Sequence, residues 1–295
     1  MSVHVLFPLF NRVIKGLYPP GSTFKLVVGA SALEEGIISP NFTILSTGGI
    51  RINKWFFPDW LSGGHGRVDL YQAIANSVNT YFYIIGGGYK NFKGLGFNKI
   101  IIYAKKFGLS KKTMIDLPSE SRGFLPSKQW KQEKKGERWY IGDTYHLAIG
   151  QGDILVTPLQ IALWTSVFAN SGKLLKPHIV KEIINSKGEV KEIGIEVLNP
   201  KVISKSTAKA IKKGMIKAVI DGTARSLLVL NKLSAAKTGT SQFSLKEEPH
   251  TIFTVFYPAN NPKIVVTCIT EKTGKKYSAI KIVRDFLKFY ESNLE

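Results

Sequence analysis

The sequence contains a single cysteine, Cys268, among its 295 residues. An intramolecular disulfide and a cluster of metal-binding thiolates are therefore excluded, because each needs more than one cysteine. The five histidines are dispersed and never form H-x-x-x-H, which excludes a zinc hydrolase of the helical H-E-x-x-H kind. A Walker A nucleotide-binding motif is also absent. Cys268 lies in the apolar run KIVVTCIT, so we expect it to be a buried core thiol.

Long apolar runs are also lacking, since no stretch of about 18 or more apolar residues has the composition of a membrane-spanning helix. The opening MSVHVLFPLF is apolar but short, without a basic leader or cleavage site, so it does not have the features of a signal peptide. Hydrophobic residues make up 44% of the chain, which is typical of a globular protein. A chain of this length can bury a substantial core as one large domain or two.

Acidic residues are few, and the formal net charge is +20. Only seven of the 41 basic residues are arginines, whereas a nucleic-acid-binding surface typically groups arginines with aromatic residues. The densest basic stretch, WKQEKKGERW at 130–139, also carries Glu133 and Glu137. We interpret the charge as a solvated lysine surface that favours an anionic neighbour, such as lipid headgroups or a cell-wall polymer.

The hydrophobic pattern predicts mostly helices in the first two thirds of the chain and strands in the last third. Helices are expected at 22–36, 73–85 with a polar kink, 99–108, 157–172, 204–222 and 278–291. Short strands are expected within 37–70, a hairpin at 176–193, and longer strands at 232–240, 250–258 and 263–270. Helices followed by antiparallel strands predict an α+β domain with a sheet packed between helical layers.

The stretch PPGSTFKLVVGASALEEG at 19–36 predicts a buried helix with an unusual beginning. Its apolar residues leave little polar face, which is typical of a central helix. Ser22 and Lys25, three residues apart, then lie side by side at its first turn. Burying a lysine is costly unless the amine is used. The alternative is that Ser22 is a helix cap and that the Lys25 amine reaches out to solvent.

Two later motifs favour a chemical role for Ser22 and Lys25. The tripeptide S-V-N occupies 77–79, and the tetrapeptide K-T-G-T occupies 237–240 on a predicted strand. An ordered set of S-x-x-K, S-x-N and K-T-G is recorded for β-lactamases and penicillin-binding proteins. Each motif is common by chance, but the three together in this order are specific.

The chain resembles the transpeptidase domain of a class B penicillin-binding protein, most closely the penicillin-binding protein 2 group that serves wall elongation. The resemblance covers nearly the whole chain and includes NRVIKGLYPPGSTFK, the pair DW followed by GHGRVDLYQAIANSVNTYFY, GDTYHLAIGQGDILVTPLQIA, AAKTGTSQ and HTIFTVFYPANNPKIVV. Two departures from the family pattern occur: Ala236 replaces the usual glycine before the K-T-G lysine, and the segment 241–249 is short.

The resemblance implies a penicilloyl-serine transferase fold of the β-lactamase and transpeptidase kind, with an antiparallel sheet between helical layers and an all-helical subregion. One transpeptidase domain is expected to occupy residues 1–295. The membrane anchor and the pedestal domain that precede it in the family are absent from this sequence, so we expect this chain to be soluble. Family members act at the periplasmic face of the bacterial inner membrane.

The implied activity is that of a serine-type D-Ala-D-Ala transpeptidase that cross-links peptidoglycan stem peptides through an acyl-serine and is inhibited by β-lactams. No metal or other cofactor is implied. The expected partners are the stem peptides and β-lactams and, through the full-length chain, a SEDS-family glycosyltransferase and other elongation-complex proteins, with no nucleic acid.

Specific roles follow for the motif residues. A serine hydroxyl needs a nearby base, and Lys25, desolvated beside Ser22, is expected to have a lowered pKa and to serve as that base. We expect the charge of Lys237 to keep Lys25 neutral and to attract the substrate carboxylate. Ser77 is expected to relay a proton to the leaving amine, and Asn79 to hold Lys25 and the acyl side-chain amide.

The remaining roles belong to the backbone and to the K-T-G-T strand. The backbone N–H groups of Ser22 and Thr240 are expected to form an oxyanion hole. The substrate's terminal carboxylate is expected to bind along Thr238, Gly239 and Thr240.

Three alternatives remain open from the sequence. A β-lactamase or a β-lactam sensor shares these motifs, but a class A enzyme also needs a glutamate-bearing E-x-x-x-N loop, and no such element occurs between 77 and 237. A basic nucleic-acid-binding module is a second alternative. A metal protein using Asp59 and His65 is the third, although two ligands without a nearby cysteine are weak support.

Overall fold

The structure is a computed structural model that describes residues 9–241, 248–273 and 278–293. The opening decapeptide and the short segment 241–249 noted in the sequence lie largely outside these residues. The described helices are α1 (Arg12–Lys15), α2 (Lys25–Glu34), α3 (Leu70–Ala75), α4 (Asn79–Gly87), α5 (Gly96–Lys106), α6 (Lys128–Lys135), α7 (Ile141–Ala148), α8 (Pro158–Ala169), α9 (Lys205–Ile220) and α10 (Ser278–Asn293). Short 3₁₀ turns occupy Gly21–Phe24 and Arg225–Val229.

Most of the described strands form two-stranded pairs, and three form the central sheet. The strands are β1 (Ile44–Ser46), β2 (Gly49–Ile52), β3 (Trp55–Pro58), β4 (Gly66–Val68), β5 (Leu174–Leu175), β6 (Glu182–Ile184), β7 (Val190–Glu192), β8 (Val197–Asn199), β9 (Ala235–Ser241), β10 (His250–Tyr257) and β11 (Ile264–Thr270). Pairing is β1 with β4, β2 with β3, β5 with β8, and β6 with β7.

The central sheet is antiparallel, with β10 between β9 and β11. Every residue of β10 is buried, because helices cover both faces of the sheet. Ile252 and Phe256 belong to the larger core together with residues of α8, whereas Phe253 and Val255 belong to a second core together with residues of α10. The predicted sheet between helical layers is therefore confirmed.

Helix α2 is the centre of an all-helical subregion. Its residues from Lys25 to Ala32 are all buried, and it packs against α4, α5 and α9. Helix α8 begins with a capping box, in which the Thr157 hydroxyl accepts from Gln160 N at 3.2 Å. None of the helices in the described ranges combines the length and apolarity needed to cross a bilayer.

Two predicted helices differ from the structure for reasons of backbone geometry. The helix expected from Ser22 begins as the 3₁₀ turn, because Gly21 has φ +53, and Ser22 makes no capping bond there. The helix expected at 73–85 is divided into α3 and α4, because Ser77 has φ +55 and interrupts the hydrogen-bond ladder. The expectation of a fully buried Cys268 was wrong: its strand, β11, lies at the edge of the sheet and leaves the thiol half-buried.

Trp164 connects α8 to the 3₁₀ turn at Gly21–Phe24 through an edge contact with Phe24, with ring centroids 6.3 Å apart. Trp164 is 0% exposed, so we expect Trp164→Ala to lower the free energy of unfolding by about 3–5 kcal/mol. Trp55 is 64% exposed and serves as the matched control, with an expected change within about 0.5 kcal/mol for Trp55→Ala. Urea unfolding followed by circular dichroism measures both, and equal losses would contradict the packing described.

Candidate active site

The turn that carries Ser22 is held between two other chain segments at very short range. Gly21 N donates to Gly150 O at 2.9 Å, and a Cβ added at Gly150 would lie 2.1 Å from Gly21 O. On the opposite side, a Cβ added at Gly21 would lie 2.5 Å from Thr240 O in β9. Glycine at both positions therefore lets the turn lie in contact with β9 and with the loop after α7. Ser22 itself stays half-buried and reaches the adjoining cleft.

One turn further, the amine of Lys25 is fully enclosed. Lys25 is 0% exposed, and its Nζ donates to Ser77 O at 2.7 Å and to Asn79 Oδ1 at 2.5 Å. Ser77 Oγ lies 3.3 Å from the same nitrogen. The Phe82 ring, with its centroid 5.5 Å away, closes the apolar side. The structure thus brings together the first two motifs found in the sequence.

A neutral Lys25 amine can satisfy its two shortest hydrogen bonds, to Ser77 O and Asn79 Oδ1. Asn79 Nδ2 donates to Pro58 O at 3.4 Å, which orients the amide with Oδ1 towards Lys25. The Ser77 carbonyl and Asn79 Oδ1 can only accept, so together they use two N–H bonds. A neutral amine has two N–H bonds and one lone pair, and the lone pair is then left for a hydroxyl proton.

The pKa values of the two lysines agree with these hydrogen bonds. Burial lowers the pKa of Lys25 to about 7, against the opposing effect of the Asp59 charge. Burial, and then the charge of Lys25, lowers the pKa of Lys237 well below its ordinary range. Desolvation thus lowers the pKa of Lys25, as expected from the sequence, and the repulsion between the two lysines lowers the pKa of Lys237 instead.

The strand β9 forms the wall facing Ser22. Lys237 is fully buried, and its Nζ donates to Thr238 O at 2.9 Å. Thr238 is half-buried and Thr240 is exposed, and they lie on one face of the strand because side chains alternate. The Thr238 hydroxyl donates to Thr223 Oγ1 at 2.9 Å. A Cβ added at Gly239 would lie 3.1 Å from Thr23 Cγ2, so glycine also allows close packing here.

These elements surround a cleft of about 280 Å³. Its lining comprises Ser22, Trp60, Ser77, Asn79, Ile149, Gln151, Thr223, Thr238, Gly239, Thr240, Thr251, Ile252, Phe253 and Ile280. Lys25 and Lys237 lie beneath this surface. No role was assigned from the sequence to Trp60, Gln151 or Thr223, although Trp60 and Gln151 lie within quoted blocks; Thr223 carries no local signal.

Asp59 and His65, the candidate metal ligands, lie close to each other, but the Asp59 carboxylate already binds other donors. The distance between His65 Nε2 and Asp59 Oδ1 is 3.9 Å. In the part of the chain that the structure describes, no group of three His, Cys, Asp or Glu side chains is placed to hold a metal ion. The Asp59 carboxylate instead accepts backbone N–H bonds from Trp60, Asn79 and Thr80. The geometry therefore gives the metal hypothesis no support.

The sequence matches the family of penicillin-binding protein transpeptidase domains over residues 2–288. The chain belongs to this family. Its fold is accordingly the penicilloyl-serine transferase fold, and its similar curated relatives include the peptidoglycan D,D-transpeptidases MrdA. MrdA of Haemophilus influenzae is 34% identical over 311 residues, covering 96% of this chain and 46% of the relative. MrdA of Escherichia coli is 31% identical, covering 95% of this chain and 46% of the relative. The chain spans about half the length of these curated relatives.

Solved structures give the same result at the level of the fold. Pseudomonas aeruginosa PBP2, in complex with WCK 5153, has a TM-score of 0.83 and 30% identity, over 98% of this chain and 64% of that one. Helicobacter pylori PBP2 has a TM-score of 0.81 and 35% identity, over 98% of this chain and 52% of that one. Penicillin-binding protein 2 structures are therefore neighbours in both sequence and fold.

The close approach at Gly21 is tested by comparison with Gly36, which has a similar φ of +63 but no atom within 4 Å of an added Cβ. We expect Gly36→Ala to cost about 1–2 kcal/mol for its backbone conformation alone. Gly21→Ala adds the clash with Thr240 O, so its loss should exceed that of the control by about 1 kcal/mol or more. Urea unfolding of the two variants measures the difference. Equal losses would mean that the turn does not lie against β9.

Proposed function

We propose that this chain is the catalytic part of a peptidoglycan D,D-transpeptidase of the cell-elongation kind, which cross-links stem peptides and is inhibited by β-lactams. The observation that carries the proposal is the buried Lys25 amine, held by Ser77 O and Asn79 Oδ1 at the base of a cleft that Ser22 lines. A serine beside a lysine of lowered pKa is an arrangement for nucleophilic acyl transfer.

In the first step, neutral Lys25 accepts the proton of the Ser22 hydroxyl as Oγ attacks the carbonyl carbon of the penultimate D-alanine. The negative charge that develops on the carbonyl oxygen is stabilised by the N–H groups of Ser22 and Thr240. The C–N bond then breaks, and the proton on Lys25 passes to the leaving D-alanine amine by way of Ser77 Oγ. Ser77 lies within reach of Lys25 and lines the cleft, which supports that relay.

Recognition of the donor peptide is assigned to β9. The Thr238 and Thr240 hydroxyls bind the terminal carboxylate on the cleft side, and Gly239 lets the strand lie against the nucleophile turn. Lys237, buried behind them, gains a proton more readily once an anion is bound nearby, because an opposite charge favours the charged form. Asn79 holds Lys25 and offers its amide to the acyl group.

In the second step, the amine of a neighbouring stem peptide attacks the ester, forms the new amide bond and returns Ser22 to its hydroxyl form. A β-lactamase would instead need a base that activates water at this point. Among the described residues that line the cleft there is no aspartate or glutamate. Glu120, a buried carboxylate between the second and third motifs, accepts from Thr113 N and Met114 N and lies outside that lining. These observations favour transfer to an amine.

We place this activity at the periplasmic face of the bacterial inner membrane, where peptidoglycan is cross-linked. The partners proposed for the full-length protein are a SEDS-family glycosyltransferase and other elongation proteins. Two structural neighbours support the general idea of such assemblies: Helicobacter pylori PBP2 was solved with MreC, and another neighbour belongs to a peptidoglycan synthase complex. A nucleic-acid partner is not proposed.

Labelling with a fluorescent penicillin tests the nucleophile and the reaction class together. We expect wild-type protein to form an adduct on Ser22, located by mass spectrometry, and Ser22→Ala to form none. Ser22 makes no capping bond, so the variant's stability should change by no more than about 0.5 kcal/mol. After a chase with unlabelled drug, the adduct should persist for at least about ten minutes, far beyond an ordinary turnover time of about 0.1 s. Full labelling of Ser22→Ala, or turnover of the penicillin adduct near one per second, would refute the proposed transpeptidase activity.

The pH dependence of acylation tests the base. Lys25 can accept a proton only when neutral, so the rate constant should rise with pH through a midpoint of about 7 and reach a plateau above it. Below the midpoint the rate should fall about tenfold per pH unit, since the neutral fraction does so. Stopped-flow labelling from about pH 5 to about pH 9 measures the profile. If the rate constant does not fall at acid pH, or if Lys25→Ala is acylated at the wild-type rate, the base is a residue other than Lys25.

A further inference from the structure

The Asp59 carboxylate accounts for an unusual feature of the helix that carries Asn79. Helix α4 begins at Asn79, and its N-cap residue, Val78, has no side-chain capping bond. An uncapped helix start normally leaves its first backbone N–H groups without partners. Here Asn79 N donates to Asp59 Oδ1 at 3.0 Å, and Thr80 N donates to Asp59 Oδ2 at 2.9 Å. A residue from a distant loop thus caps this helix.

Asp59 is itself fixed on several sides. It is 7% exposed, and its carboxylate also accepts from Trp60 N at 2.9 Å and from Ser46 Oγ at 3.3 Å. Its own backbone N–H donates to Gly48 O at 2.8 Å. Burial acts to raise the pKa of Asp59, but the Thr80 and Asn79 donors and the charge of Lys25 outweigh it and hold the pKa below its ordinary value. The group is an anion in a rigid setting.

From these contacts we infer that Asp59 is a positioning residue of the acylation site: by fixing where α4 begins, it holds Ser77 and Asn79 around Lys25. The chain passes from Ser77, in the left-handed region, to Asn79 within two residues. Both acceptors of the Lys25 amine, Ser77 O and Asn79 Oδ1, lie on this short segment. A shift of the helix start would displace both. This inference rests on the proposed function, because it assigns Lys25 the role of base.

The charge of Asp59 has a separate effect on the same amine. Among the residues that the structure describes, the ionisable groups that act on or respond to Lys25 are Asp59 and His65 from the loop after β3, and Lys237 from β9. The Asp59 anion favours the protonated form of Lys25 and raises its pKa against the effect of burial. Burial lowers the pKa of His65, and the loss of Asp59 would lower it further.

The test compares Asp59→Asn, Asp59→Glu and wild type by penicillin acylation across pH. An amide is isosteric but cannot accept both helix N–H bonds with two oxygens, so Asp59→Asn should lower the plateau rate constant by about tenfold to a hundredfold. The acid limb of its pH profile, which is the range where the rate constant rises with pH, should move to lower pH. The reason is that the charge favouring protonated Lys25 is gone. Asp59→Glu retains the charge, so its limb should stay near that of wild type while its plateau falls.

Glu120→Gln is the matched control. Like Asp59, Glu120 is buried, with 8% exposure, and accepts backbone N–H bonds, but its donors Thr113 and Met114 do not line the cleft. Its loss should lower stability without changing the plateau or the limb. A purely structural role for Asp59 would give the same pattern in Asp59→Asn: a smaller folded fraction with wild-type plateau and limb for the folded molecules. That result would overturn the inference.

Two measurements keep the inference separate from the proposed function and from misfolding. The ¹³Cε resonance of Lys25, followed against pH in the unlabelled protein, should titrate at lower pH in Asp59→Asn whether or not penicillin reacts. If wild type is never labelled at Ser22, the proposed function fails, and this titration still decides the effect of Asp59.

If Asp59→Asn does not fold, hydrogen exchange in wild type is decisive: Asn79 and Thr80 amides should exchange at least about a hundredfold more slowly than the first two amides of α9. Equal exchange would overturn the capping role.

Discussion

A lysine amine that water does not reach must find its hydrogen-bond partners within the protein, and Lys25 finds them on one short segment. The Ser77 carbonyl and Asn79 Oδ1 accept its N–H bonds, and burial brings its pKa to about 7. The left-handed backbone of Ser77, the break between α3 and α4 and the Asp59 cap all serve this arrangement. Backbone strain of this kind persists only where surrounding contacts determine it.

The site also requires close contact between segments far apart in sequence, and glycine residues allow this contact. The Gly21–Phe24 turn touches β9 at Gly21 and the loop after α7 at Gly150, in each case closer than a side chain allows. The sheet is a firm support because its middle strand is buried on both faces by two helical layers. Ser22 is therefore positioned by backbone packing, while Lys25 is positioned by hydrogen bonds.

The three motifs, the sheet between helical layers and most helices were accessible from the sequence, because they depend on local spacing and hydrophobic periodicity. The structure brings Ser22, Ser77, Asn79, Thr238 and Thr240 to one cleft, as expected. Three features were not accessible: the Asp59 cap, the Thr223 bond to Thr238, and Trp60 in the cleft wall. Each depends on tertiary contacts that no local pattern encodes. The burial of Lys237, which lowers its pKa well below the ordinary range, was not accessible either, since burial cannot be read from the K-T-G motif.

The cleft has a consequence for how this protein is observed. Its lining comes from separate stretches near residues 22, 60, 77, 151, 223 and 239, so no single stretch contains a working part of it. A chain that has lost its tertiary packing keeps its serine hydroxyl but has a solvated lysine with an ordinary pKa, and it would be inert to a mild acylating drug. Under the proposed function, covalent capture by a β-lactam would therefore count native molecules selectively, and the drug would act as a stain for correct folding in a mixture of folded and misfolded chains.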